Sequence, residues 1–153
     1  MADPFTPDEV LARIPQQEPF RFIDGIDELD PNHIVAHYTF REAAEFYRGH
    51  FPENPITPGV LLTEAMAQAG VVAFGLYLVS LEPSGREEVE KLLTIFTDAN
   101  VEFTGMVRPG QRVTTTGRKE MFRRRKLRTS VEMELEDGTV VASGTLSGMG
   151  VPR

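Results

Sequence analysis

The chain has no cysteine in its 153 residues, which excludes disulfides, thiolate metal sites and cysteine nucleophiles but leaves the compartment open. It also lacks a basic excess. Sixteen Lys and Arg stand against 23 Asp and Glu, a formal net charge of -7. A nucleic-acid binder normally carries a basic face, so no nucleic-acid partner is expected. Nor is there a long uninterrupted apolar run. Residues 60–79 form the most apolar stretch, but Thr63, Glu64 and Gln68 break it, and only residues 69–79 run free of strongly polar side chains. Crossing a bilayer takes about 20 such residues, so a buried core helix is expected and no membrane partner. Residues 1–11 are acidic and contain proline, with neither the basic n-region nor the apolar h-region of a secretory signal, which points to the cytoplasm. No repeat, low-complexity tract or linker divides the sequence.

With 41% apolar and 25% charged residues, the chain has the composition of one soluble domain, residues 1–153, able to bury a core. Thr6-Pro7-Asp8-Glu9 opens a short helix with a capping box, and Pro15 ends it. Residues 20–29 are apolar enough to pack, and Asp30-Pro31-Asn32 is a turn. Residues 33–40 follow as a strand with Ile34, Ala36, Tyr38 and Phe40 on one face. Between Phe46 and Gly59, three prolines and two glycines forbid regular structure. Then Thr57 as N-cap and Pro58 in the first turn start a helix that is apolar all round and continues to about Val79. Pro83-Ser84-Gly85 marks a loop within the polar residues 81–90. Strands are expected over residues 92–97, 100–103, 112–120, 125–136 and 139–149, with a turn at Arg108-Pro109-Gly110 and a two-residue hairpin at Asp137-Gly138. In residues 125–136, Leu127, Thr129, Val131, Met133 and Leu135 share one face. The order is α+β: one antiparallel sheet wrapped around one long central apolar helix. The open edges of such a unit suggest a dimer.

The chemistry concentrates between His50 and Gln68. His50 lies in the proline-braced loop before the helix, and Glu64 lies about two turns into it among apolar neighbours. An imidazole exchanges protons near neutral pH, and a carboxylate in an apolar setting is pushed towards its protonated form. The two are a candidate acid/base pair. Gly59 falls in the first turn, where backbone N–H groups lack helical partners and could hold an oxygen gaining negative charge. Each residue also has a plain structural reading. His50 could be hydrogen-bonded scaffolding, and Gln68, one turn beyond Glu64, could simply satisfy the carboxylate. His33 falls in a turn and His37 on an exposed strand face.

Gly49-His50-Phe51-Pro52, then Asn54-Pro55-Ile56-Thr57-Pro58-Gly59-Val60, then Glu64-Ala65-Met66-Ala67-Gln68 resembles the signature of bacterial 3-hydroxyacyl-[acyl-carrier-protein] dehydratases, with histidine and carboxylate fourteen residues apart. Ile14-Pro15, Pro19-Phe20, Asp24, Asp30-Pro31, Phe103 and Arg108-Pro109-Gly110 extend the resemblance over nearly the whole chain. It implies a hot-dog fold and a homodimer as the active unit, either on its own or assembled into a hexamer as a trimer of dimers. His50 of one subunit would take a C2 proton from a 3-hydroxyacyl thioester, and Glu64 of the other would protonate the departing 3-hydroxyl. The Gly59 N–H would hold the thioester carbonyl and the Ile56 carbonyl would orient His50, with Gln68 secondary. No metal or other cofactor is implied. The partner would be an acyl thioester on acyl carrier protein or coenzyme A. Glutamate at position 64 fits the dehydratase branch, since relatives that also isomerise the double bond typically carry aspartate.

Two places depart from the pattern. Gln16-Gln17 stand where such proteins often have His-Arg, and residues 101–106 lack their usual basic character. Arg123-Arg124-Arg125-Lys126 either binds a phosphopantetheine group or an acidic helix, or is a solvated strand surface balanced by Glu132, Glu134 and Glu136. Met66, Phe74, Phe96 and Met106 are the candidates for setting tunnel depth. Two rival functions share the fold: an acyl-thioester hydrolase, which does not need His50, and a non-enzymatic acyl-binding subunit.

Overall fold

The computed structural model describes residues 3–153; Met1 and Ala2, the start of the expected domain, lie outside the described residues. Helix α1, Pro7–Leu11, begins on the capping box read from the sequence: the Thr6 hydroxyl accepts the Glu9 N–H, and Glu9 answers at the Thr6 N–H. Strands β1 (Gly25–Leu29), β2 (His33–Thr39), β4 (Arg112–Arg123), β5 (Lys126–Leu135), β6 (Val140–Pro152) and β3 (Leu92–Phe103) lie in that spatial order in one antiparallel sheet. Helix α2, Gly59–Ser80, runs against the concave face. The element β1 and the joining of residues 92–103 into one strand were not read from the sequence. A bulge between Phe96 and Asp98 absorbs the polar step that had looked like a break.

Ile34, Ala36, Tyr38 and Phe40 are buried, and so are Leu127, Thr129, Val131 and Met133, as their alternation requires. The N-terminal half of α2 sends Leu62, Ala65, Met66 and Val71 into a core with Tyr38, Val131 and Leu146. Its C-terminal half sends Val72, Phe74 and Leu78 into another with Val10, Ile34 and Leu127. Each such aliphatic or aromatic side chain contributes about 1.5–3 kcal/mol on burial. By length and composition α2 could cross a membrane, but 67% of its most apolar window is buried inside the molecule.

The start of α2 differs from the expectation. Pro58, not Thr57, is the N-cap, and no side chain caps the helix. Thr57 is buried, and its hydroxyl is 2.5 Å from the Tyr47 hydroxyl, an interaction that ties the preceding loop instead. The helix is also not α-helical throughout. Residues Gln68–Ala73 form a π turn at the point where Gly70 meets the sheet. A Cβ on Gly117 would stand 3.2 Å from the Gly70 Cα, and one on Gly70 would stand 2.8 Å from Val131. Glycine at both positions lets helix and sheet backbones approach, and Thr129 Oγ1 donates to Gly70 O at 2.8 Å.

Three turns also differ. Residues expected as loop contain a short helix, Gly85–Glu88. The β5–β6 connection runs over the four residues Glu136 to Thr139, not two: Gly138 takes φ +86° and its N–H donates to Leu135 O, while Leu135 N–H bonds Thr139 O. Arg124 and Arg125 form the two-residue β4–β5 turn with positive φ at both. Arg125 faces Glu82 and Glu88, and Lys126 faces Asp98, so the balancing acids are not Glu132, Glu134 and Glu136.

The helix–sheet bond gives a stability test. Thr129→Val keeps the shape but leaves the Gly70 carbonyl without its buried donor, lowering unfolding free energy in urea by about 1 kcal/mol. A change below about 0.3 kcal/mol would mean that the hydroxyl contributes nothing to seating the helix.

Candidate active site

The loop before α2 is closed on itself around His50. The Ile56 N–H donates to His50 O at 2.9 Å, and His50 Nδ1 lies 2.8 Å from Ile56 O. A carbonyl can only accept, so Nδ1 carries a proton, and it is Nε2 that offers the lone pair in the neutral ring. The ring stacks on Phe51 at 4.2 Å. Further ties hold the loop to the body. Thr57 N–H bonds Val107 O at 2.8 Å, and Arg108 reaches the Asn54 side chain at 3.1 Å. The expectation of no regular structure after Phe46 fails at the start of the segment, where Glu45–Arg48 form a 3-10 helix. From Gly49 on the prolines keep it irregular, and these bonds fix where its imidazole points.

Glu64 is half-buried on α2. Burial pushes its carboxyl above the ordinary value of 4.5, and a hydrogen bond from Gln68 partly offsets that rise. Gln68 itself is completely buried. Its Nε2 donates to Glu64 Oε1 at 2.9 Å and to Phe20 O at 2.9 Å, while its Oε1 accepts the Phe22 N–H at 2.7 Å. One amide thus fixes the carboxylate and clamps the N-terminal segment over the helix. Glu64 faces a small pocket whose other walls include Gln16, Val71, Thr94 and Phe96. A neighbouring apolar pocket shares Val71 and Thr94 with it. Of the residues considered for tunnel depth, Phe96 lines the Glu64 pocket, Met66 and Phe74 lie fully inside the core, and Met106 is exposed.

Gly59 is the first residue of α2. A Cβ there would stand 3.2 Å from the Phe103 ring, so glycine lets that ring lie over the helix start. His50 is not among the residues lining the pocket of Glu64, and no hydrogen bond joins them. One chain therefore brings together two pairs, His50 with Ile56 and Glu64 with Gln68, but not the two pairs with each other. His33 and His37 stand elsewhere. His33 begins β2, bonded to Glu28 and Asp30, and His37 is only partly exposed, 2.9 Å from Asp27. Sequence reasoning missed Gln16 as a wall of the Glu64 pocket; its one signal was the departure from His-Arg at that position.

The pattern of the FabA-like domain family matches residues 14–145. The chain belongs to that family. Among its curated relatives, the 3-hydroxyacyl-[acyl-carrier-protein] dehydratase FabZ of Streptococcus pyogenes serotype M3 is 35% identical over 140 residues, 91% of this chain and 94% of the relative. Among solved structures, the dehydratase heterocomplex ApeI:P from Xenorhabdus doucetiae superposes with a TM-score of 0.74 at 17% identity, covering 97% of this chain and 93% of that one. A thioesterase from Haemophilus influenzae superposes with a TM-score of 0.69 at 15% identity, over 99% and 94% of the two chains. These likenesses show the fold, the hot dog. Members of this FabA-like family thus share an architecture with hydrolases, and the side chains have to separate the chemistries.

The raised Glu64 carboxyl predicts a pH-dependent stability difference. The folded state binds the proton more tightly than the unfolded one, so folding holds more protons as pH rises past 4.5. Native stability relative to Glu64→Gln is therefore highest below that value. It falls as pH rises towards the raised folded-state value and is constant above it. Urea midpoints for the two proteins across acid to neutral pH measure this; a gap that does not change with pH contradicts a desolvated carboxyl.

Proposed function

We infer that the protein is a 3-hydroxyacyl-[acyl-carrier-protein] dehydratase, a hydro-lyase that converts (3R)-3-hydroxyacyl thioesters to trans-2-enoyl thioesters in fatty-acid or related acyl-chain synthesis. One observation carries the reading: in a chain 35% identical to a FabZ over 91% of its length, a histidine tied by Nδ1 to a backbone carbonyl precedes a half-buried carboxyl on the next helix. The substrate is an acyl thioester on acyl carrier protein or coenzyme A.

His50 Nε2 takes the C2 proton, and the Ile56 carbonyl favours the imidazolium that forms. The Gly59 N–H stabilises the thioester oxygen as it gains enolate charge. Glu64, whose proton affinity burial raises, gives a proton to the departing 3-hydroxyl, which leaves as water. The acyl chain extends into the apolar pocket beside Val71 and Thr94. Because His50 does not line the pocket of Glu64, the reading combines His50 of one subunit with Glu64 of another in the working site. What supports a homodimer is the β3 edge, where Leu93, Ile95, Phe96 and Phe103 are exposed on a strand paired with β6 on one side only. A single catalytic domain, a cytoplasmic home and a trimer of such dimers belong to the same proposal.

Hydrolysis of the thioester is the competing reaction, suggested only by a shared fold with solved thioesterases such as that of H. influenzae. Incubation with a 3-hydroxyacyl thioester separates the two: dehydration yields enoyl thioester, whereas thiol release without enoyl product rejects the reading. His50→Ala and Glu64→Gln each lower turnover at least about 100-fold. Mixing the two inactive variants under conditions of subunit exchange restores part of the activity; no recovery would place both groups in one subunit's site.

A further inference from the structure

A second polar group opens onto the Glu64 pocket and has no part in the mechanism above. Gln16 lines the pocket with Glu64, amid Ala67, Val71, Val72 and Phe96. Its Oε1 is buried and is the one buried side-chain N or O without a hydrogen-bond partner among the described residues. Buried acceptors of this kind are costly, and folded proteins leave few. Gln17 Nε2 donates to Ile14 O, Phe20 N–H to Gln17 O, and Gln68 Nε2 to Phe20 O and Glu64. The Thr94 hydroxyl and the Glu64 carboxyl share the pocket wall, but neither bonds Gln16 Oε1. A ligand in the pocket is placed to supply the donor that Gln16 lacks.

Within the dehydratase reading, on which this rests, we propose that Gln16 Oε1 accepts a hydrogen bond from the 3-hydroxyl of the bound acyl group and turns that oxygen's lone pair towards Glu64. Gln68 occupies Glu64 Oε1, so Oε2 carries the transferable proton. The C2–H proton passes to His50 Nε2, and the electrons of that bond form the C2=C3 double bond. The C3–O bond breaks with its electron pair on oxygen, which takes the Glu64 proton and departs as water, still donating to Gln16. His50 then loses a proton to solvent and Glu64 regains one. Gln16 also makes the pocket selective, because 3-keto and 3-deoxy acyl groups offer it no donor.

Binding in a Glu64→Gln background, in which turnover is slowed at least about 100-fold, tests this. That protein binds a 3-hydroxyacyl thioester about three- to tenfold more tightly than the same thioester lacking the hydroxyl, the worth of one neutral hydrogen bond. Adding Gln16→Met, similar in length but without the acceptor, abolishes the preference and leaves affinity for the deoxy ligand unchanged. If Gln16→Met does not fold, a 3-fluoroacyl thioester serves with Gln16 intact, since fluorine cannot donate and the ligand binds no better than the deoxy form. A preference that survives Gln16→Met, or extends to the fluoro ligand, overturns the proposal while native protein still forms enoyl product. Absence of enoyl product from the native protein overturns the dehydratase reading and this proposal with it.

Discussion

A helix with apolar side chains on every face cannot stand in water, and the rest of this molecule follows from enclosing it. The sheet supplies the cover, and Gly70 and Gly117 let the helix sit against it closely enough for Thr129 to bond the helix backbone. Enclosure is incomplete near the start of the helix, where Glu64 meets a pocket instead of a packed wall. A carboxyl in that position is half out of water and carries one hydrogen bond from a fully buried amide. Its raised proton affinity is thus a product of the same burial that builds the core.

The histidine is governed by a different constraint. Its loop contains too much proline and glycine for helix or strand, so its backbone groups must find partners within the loop or on the body. They do so through the reciprocal bonds of His50 and Ile56 and through Thr57 with Val107. The tautomer of the imidazole is a by-product of that accounting. Acid and base therefore come from two separate solutions to burial and hydrogen bonding, and a second subunit is what the reading uses to join them.

Much of this was legible from residue patterns. Alternation in residues 125–136 marked the buried face of β5, and the apolar run after Pro58 marked the central helix. The residues themselves offered His50 and Glu64 as an acid/base pair and Gly59 as an oxygen-holding N–H, with a structural reading of the pair about as good. The resemblance supplied the substrate, the role of Ile56 and the division of the site between two subunits. What was not legible depends on partners distant in sequence. Thr57 is an ordinary N-cap residue until Tyr47 competes for its hydroxyl. The π turn arises where Gly70 meets the sheet, which no local propensity announces. Gln16 looked like a missing His-Arg feature, and only the folded chain puts it on the wall of the Glu64 pocket.

The central claim is that His50 and Glu64 move protons at C2 and at the 3-oxygen of an acyl thioester. Hydration of a short trans-2-enoyl thioester in deuterium oxide, followed by mass spectrometry, reads both steps in reverse. The account predicts a 3-hydroxyacyl thioester with one non-exchangeable deuterium at C2, formed by the native protein and not by His50→Ala. Free acid and thiol with no deuterium at C2 would contradict it.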